Sequence, residues 1–84
     1  MKIKADITYY GKDVYHTDVG AVAHVLVDYG AEDDALRVFD CIKYKVDDVE
    51  YIDNDGKYKF TVYVGNKFGF ASFVEKWNNS LKYL

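Results

Sequence analysis

The segment that most constrains the fold is Asp53-Asn54-Asp55-Gly56, which lies between two runs of alternating apolar and polar residues. An Asp-Gly step supplies the positive backbone angles that a tight turn between antiparallel strands needs. We therefore predict a β-hairpin in which Asp55-Gly56 is a two-residue loop. The register that follows places these pairs opposite each other: Tyr51 and Phe60, Val49 and Val62, Glu50 and Thr61.

Two further stretches alternate with the period of a half-buried strand. Lys2 to Tyr10 forms the first, with the apolar side of the strand made by Ile3, Ala5, Ile7 and Tyr9. In the second, Ile42, Tyr44 and Val46 alternate in the opposite phase to Val49 and Tyr51. This change of phase predicts a bulge or bend at Asp47-Asp48.

Helical spacing of apolar residues predicts an amphipathic helix near the end of the chain, with Trp77 as its central anchor. Its apolar positions are Phe70, Phe73, Val74, Trp77, Leu81 and Leu84. A shorter helix is predicted to begin at Glu32 or Asp33, where acidic residues suit the positive end of the helix dipole. Its apolar positions are Ala35, Leu36, Phe39 and Ile42.

The stretch from Val19 to Gly30 permits two interpretations. Thr17 or Asp18 would cap a helix ending before Gly30, with Val19, Val22, Ala23, Leu26 and Tyr29 at helical spacing. Valines are weak helix formers, however, so the alternative is a buried strand over Val22 to Val27.

Together these elements predict one compact α+β domain over residues 1–84, since a chain of 84 residues suits a single core. The predicted order is β-α-α-β-β-α. The small antiparallel sheet has three strands, or four if Val22 to Val27 is a strand, and the helices pack mainly on one face. Cys41 is the only cysteine, and the first residues do not open an apolar signal segment, so we expect a cytoplasmic setting.

No group of residues forms an enzyme or metal signature. His16 and His24 have no partner at metal-ligand spacing, so we predict no metal and no cofactor. Cys41 is interpreted as a buried small apolar residue. The turn at Asp53 fails as a calcium loop because Tyr51 and Val62 would occupy its end positions. Gly65 to Gly69 is interpreted as a strand-to-helix connection.

Direct binding of nucleic acid is not favoured. A helix-turn-helix over Val19 to Ile42 would point acids of its recognition helix at phosphates. Tyrosines and lysines on the strands would form a stacking platform for single-stranded nucleic acid. The net charge of −3 and the single Arg argue against this function. The platform residues would be Lys2, Lys4, Tyr10, Lys57, Lys59 and Tyr63.

Charge is distributed unevenly along the chain. Between Asp28 and Asp55 lie ten of the fourteen acidic residues and only three basic ones, whereas the remainder is net positive. A concentrated negative field speeds encounter with a basic partner. We expect exposed tyrosines at Tyr10, Tyr15, Tyr29, Tyr44 and Tyr63, because fifteen aromatic residues exceed what so small a core can bury.

These features favour a small non-enzymatic binding module whose acidic surface docks on a basic site of another protein, such as a nucleic-acid-binding protein. Its composition is similar to that of phage-type inhibitors, the anti-restriction and anti-CRISPR proteins, although no motif carries the resemblance. The alternative is a structural module that associates with its own copies, as a homodimer for example. No membrane partner is expected. The expected contact residues are Glu32, Asp33, Asp34, Asp40, Asp47, Asp48 and Glu50, with Tyr29 and Tyr44 beside them.

Overall fold

The computed structural model describes residues 3–11 and 20–82. Within them, a four-stranded antiparallel sheet is combined with two helices, which confirms the α+β class. The sheet order is β1-β2-β4-β3, so β1 and β3 are the edge strands. The elements are β1 (Ala5–Tyr10), β2 (Ala21–Asp28), α1 (Glu32–Cys41), β3 (Val46–Ile52), β4 (Lys57–Gly65) and α2 (Lys67–Ser80).

The predicted element order was wrong at one place, because the stretch after Gly20 is strand β2 and not a helix, which confirms the alternative of a fourth strand over Val22 to Val27. β2 lies in the middle of the sheet, between β1 and β4. Its burial alternates: Ala21, Ala23, Val25 and Val27 are buried, and the residues between them are partly exposed. Valines fit such a pleated surface better than a helix, and pairing on both sides decides the outcome. The expected cap at Thr17 or Asp18, and Val19, lie outside the described residues.

Both helices pack on one face of the sheet, and the core lies between them. Phe39 of α1 meets Phe60 of β4 with ring centroids 5.3 Å apart, and meets Trp77 of α2 edge-on at 5.0 Å. Trp77 is 1% exposed, which confirms it as the anchor of α2. The buried cluster joins these rings to residues of β2, β4, α1 and α2: Ala23, Val25, Val27, Val62, Ala35, Val38 and Phe73.

Helix α1 begins at Glu32 as predicted, but its apolar face is turned slightly. Val38 is fully buried, whereas Leu36 is 44% exposed. Ala35, Val38 and Phe39 form the stripe that faces the sheet, and Ile42 after the helix packs against it. Leu36 lies three residues before Phe39 and so has helical spacing with it, and only the position of the sheet decides that Val38 is buried in its place.

The hairpin forms where predicted, but its register was wrong by two residues. The turn spans four residues, Asp53 to Gly56, so Ile52 pairs with Lys57 and Tyr51 pairs with Tyr58. Val49 faces Phe60 and Glu50 faces Lys59. A shift of two residues keeps every side chain on its predicted face.

The predicted bulge is confirmed at the start of β3. Val46 pairs with Val62 and Asp48 pairs with Thr61, so Asp47 is the extra residue. The inserted residue lets Val46 and Val49 point to the same side of the sheet although they are three positions apart. Strand β3 therefore continues through the bulge, and Ile42 and Tyr44 precede it as irregular chain.

A tight connection joins β4 to α2, as the two glycines suggested. Asn66 caps the helix, and its side-chain oxygen accepts the Gly69 N–H at 2.9 Å. A Cβ on Gly69 would overlap the backbone oxygen of Val64. Helix α2 can therefore approach the end of β4 only because position 69 has no side chain. Leu84 lies outside the described residues, and so does Lys2.

We predict that Gly69→Ala destabilises the protein by about 1–3 kcal/mol, as overpacking does, although alanine is the better helix former. The free energy of unfolding is measured in urea by the fluorescence of Trp77. Gly20→Ala is the control, because its Cβ meets no atom within 4 Å. It should change stability by less than about 0.5 kcal/mol. Equal stability of the two variants would contradict the close approach.

Candidate functional site

The second face of the sheet, here called the open face, carries no helix of the described residues. Cross-strand rows run over it: Thr8, His24, Thr61 and Asp48 form one, and Asp6, Leu26, Lys59 and Glu50 form the next. Two ion pairs link its strands. Lys57 Nζ lies 2.9 Å from Asp28 Oδ1, and Lys59 Nζ lies 3.3 Å from Glu50 Oε1. Hydrogen bonding to Asp28 raises the pKa of Lys57.

His24 is the titratable residue at the middle of the open face. The ring of Tyr10 stacks on it with centroids 4.9 Å apart. Burial lowers the pKa of His24 below its usual 6.5, Lys59 lowers it further, and Glu50 opposes both effects. Because the folded protein resists protonation there, the contribution of His24 to stability falls as pH decreases through about 6.5 toward its folded pKa.

We predict that Lys59→Gln raises the pKa of His24, since it removes a positive neighbour, and that Glu50→Gln lowers it. The His24 ring resonance, followed by NMR during a pH titration, measures both shifts. His24→Gln identifies the resonance and removes its part of the pH dependence of stability. Shifts in the reverse directions would contradict the row arrangement seen on the open face.

The acidic residues of β3 form the first part of the predicted site. Asp47, Asp48 and Glu50 are exposed on this edge strand, and we call these three residues the acidic edge. Glu50 is paired with Lys59. Among the described residues, Asp47 and Asp48 have no salt bridge. Asp48 and Glu50 lie on the open face, and Asp47 occupies the bulge.

The remaining predicted acids lie on α1 and are not gathered at one place. Glu32, Asp33 and Asp34 occupy its first turn, and Asp40 lies near its other end. Glu32 Oε1 accepts the Gly30 N–H at 2.7 Å, so this carboxylate helps to shape the start of the helix. Ten residues separate the ends of α1 by roughly 14 Å. The structure therefore divides the seven carboxylates between the acidic edge and the two ends of a helix.

Three tyrosines meet where β2 ends and the β3–β4 turn begins; we call Tyr29, Tyr51 and Tyr58 the tyrosine cluster. Tyr51 and Tyr58 face each other across the hairpin with centroids 5.0 Å apart. Tyr29 lies 5.9 Å from Tyr51 and 6.1 Å from Tyr58. Its backbone N–H donates to the Gly56 carbonyl at 3.0 Å, which fixes it beside the turn.

The tyrosine cluster is exposed on one side and packed on the other. Tyr29 is 67% exposed and Tyr51 is 45% exposed, whereas Tyr58 is half-buried against the core. Partial burial raises the pKa of Tyr58, and the negative charge of Glu32 raises it further. A carboxylate therefore lies close enough to this ring to act on it.

Sequence reasoning identified Tyr29 as a site residue but not Tyr51. The predicted two-residue loop paired Tyr51 with Phe60, and Tyr51 was not among the tyrosines expected to be exposed. The four-residue turn places it opposite Tyr58 instead, and it is 45% exposed. A prediction with all four residues from Asp53 to Gly56 in the turn would have paired Tyr51 with Tyr58.

The predictions for two residues at and after the end of α1, Cys41 and Tyr44, were wrong. Tyr44 is half-buried and packs edge-on against Phe73 at 4.9 Å, because the chain before β3 crosses the core there. Lys76 Nζ lies 5.6 Å from the centroid of the Tyr44 ring. Cys41 is exposed, not buried, because it ends α1 on the side away from the sheet. Tyr10 and Tyr63 are exposed as predicted, and Tyr15 lies outside the described residues.

In the part of the chain that the structure describes, no group of three or more His, Cys, Asp or Glu residues is placed to hold a metal ion. His16 lies outside that part. Neither described helix is long and apolar enough to cross a membrane. Strand β2 contradicts the helix-turn-helix interpretation, because the stretch that would form its first helix is a strand. No protein-family model, curated protein or solved structure matches this chain.

Proposed function

We propose that this protein is a small non-enzymatic binding module that docks an acidic surface on a basic site of a partner protein. The observation that carries this proposal is the acidic edge, where Asp47, Asp48 and Glu50 are exposed along a strand with an unpaired side. Only Glu50 faces a lysine across the ladder within the described residues. A basic partner is therefore attracted to carboxylates that the fold itself leaves largely uncompensated.

The mode of action would be competitive. A partner that binds nucleic acid presents a basic groove, and an acidic strand that occupies the groove excludes the phosphates. This is the action of the anti-restriction and anti-CRISPR inhibitors that the composition resembles. The proposed contact set begins with the acidic edge and extends to the acids of α1, of which Glu32 also serves the helix start.

We expect Asp47→Lys/Asp48→Lys to slow association with the partner by about tenfold at low salt and to flatten its salt dependence. The partner is captured from lysate on the immobilised protein, purified, and its association rate is measured at several salt concentrations.

The matched control is Asp6→Lys/Glu75→Lys, which changes net charge equally at two exposed acids outside the acidic segment. It should change the association rate by no more than about threefold, through the net charge alone. If both double variants slow association alike, docking through the acidic edge is rejected.

A second candidate function, self-association, is favoured by the other edge strand. In β1, Asp6 is the only charged residue, and Ile7 to Tyr10 offer an uncharged edge with strong strand-forming residues. The acidic edge would repel a second copy of itself, so β1 is the edge on which two copies would pair.

For this candidate we expect sedimentation equilibrium to give twice the monomer mass of 9.7 kDa at micromolar concentration. Thr8→Lys, which adds a charge to the exposed side of β1, should restore the monomer mass. Thr61→Lys on the interior strand β4 is the control and should leave the dimer intact. A monomer in all three proteins would exclude self-association through β1.

A further inference from the structure

We infer that the tyrosine cluster is an arginine-binding site, at which a guanidinium group of the partner stacks on the ring of Tyr29 beside Tyr51. This inference rests on the proposed function, because it names the side chain that the basic partner supplies. It depends on different residues from the acidic edge, so each proposal can fail separately.

Two of the three tyrosines in the cluster are exposed to solvent. Tyr29 and Tyr51 leave 67% and 45% of their surfaces in solvent, although they already contact Tyr58 and each other. Aromatic rings that served only to close the end of the sheet would be covered, as Phe60 and Phe73 are. Instead, Tyr29 and Tyr51 remain exposed although contacts with Tyr58, and with each other, hold them in place. Fixed aromatic surfaces of this kind are the usual anchors of protein interfaces.

Acidic residues belong to the segments that hold the tyrosine cluster. Glu32 accepts the N–H of Gly30, the residue that follows Tyr29, at 2.7 Å, and Asp53 and Asp55 belong to the turn whose Gly56 carbonyl accepts the Tyr29 N–H. The nearest lysine along β4, Lys57, is engaged by Asp28 at 2.9 Å. A cation is attracted to these carboxylates and to the faces of the tyrosines, whereas an apolar ligand is not.

The planar shape of the aromatic rings favours arginine over lysine as the ligand. The ring of Tyr29 is flat, and Tyr51 lies beside it edge-on, with the two ring planes at 65°. A planar guanidinium stacks on such a surface and is more weakly hydrated than an ammonium group. Glu32 accepts one hydrogen bond from Gly30, and a carboxylate has further lone pairs with which to accept a guanidinium N–H.

The experiment compares a short Gly/Arg peptide with a Gly/Lys peptide of the same length and charge. Binding is followed by the NMR ring signals of Tyr29, Tyr51 and Tyr58 at low and physiological salt. We expect the arginine peptide to bind roughly three- to tenfold more tightly and to shift these three tyrosines. Unchanged emission of Trp77, which is buried in the core, reports an intact fold in every variant.

Three variants test the stacking itself. Tyr29→Leu keeps an apolar side chain without a ring and should reduce arginine binding to the level of lysine. Tyr29→Phe keeps the ring and should bind within about twofold of the original protein. Tyr10→Leu removes an equally exposed tyrosine from the open face, where it stacks on His24, and should change nothing.

Equal affinity for the two peptides, with strong salt dependence, would overturn the arginine site and leave the acidic docking proposal standing. The same affinity in Tyr29→Leu as in the original protein would also overturn the site. If neither peptide binds, the arginine site is rejected, and the acidic docking proposal is decided separately by the association rates of Asp47→Lys/Asp48→Lys. A loss of affinity in Tyr29→Phe would assign the effect to the hydroxyl group and reject stacking.

Discussion

Packing of Phe39, Phe73 and Trp77 against a single face of the sheet is the interaction on which the rest of the structure depends. The strand residues beneath them, Val25, Phe60 and Val62, are at most 1% exposed. A chain of 84 residues has room for one such core, and the contacts among large rings supply much of its buried area. Because both helices are used on this face, the open face and the two edge strands are left to the surface.

The edge strands differ in a way that bears on function. β3 carries exposed acids and a bulge, which are devices that prevent pairing with another copy of the same strand. The same charges attract a partner of opposite sign. Protection from self-association and the proposed attraction of a basic partner would follow from one set of carboxylates, so the first effect does not argue against the proposal.

The local signals in the sequence predicted the elements whose pattern permits one interpretation. The hairpin, the bulge at Asp47 and helix α2 around Trp77 are in this group, since turn chemistry or helical spacing alone defines them. The stretch of β2 permitted two interpretations, a helix and a strand over Val22 to Val27, because Val22, Ala23 and Leu26 have helical spacing whereas Ala23, Val25 and Val27 alternate. Pairing with β1 and β4 decides between them, and that information lies elsewhere in the chain.

The candidate site was less predictable than the fold. Charge segregation along the chain is visible in the sequence, but the division of the acids between β3 and the ends of α1 requires the path of the chain. The exposure of Tyr51 depends on a turn of four residues in place of two, which the Asp-Gly step does not reveal. Tyr44 was expected to be exposed because nothing in the sequence places Phe73 beside it.

Strand β3 brings the two proposed surfaces into contact with each other. Asp48 and Glu50 point to the open face, while Val49 and Tyr51 point to the other side of the same strand. A partner that lies along this edge therefore meets carboxylates and an aromatic surface together. In the proposed complex, long-range attraction to the carboxylates would govern the rate of encounter, and close packing on the tyrosines would govern dissociation. Glu50 is held by Lys59, and Tyr51 is held by Tyr58. Since both groups are already ordered before binding, little of the interaction energy is lost in arranging them.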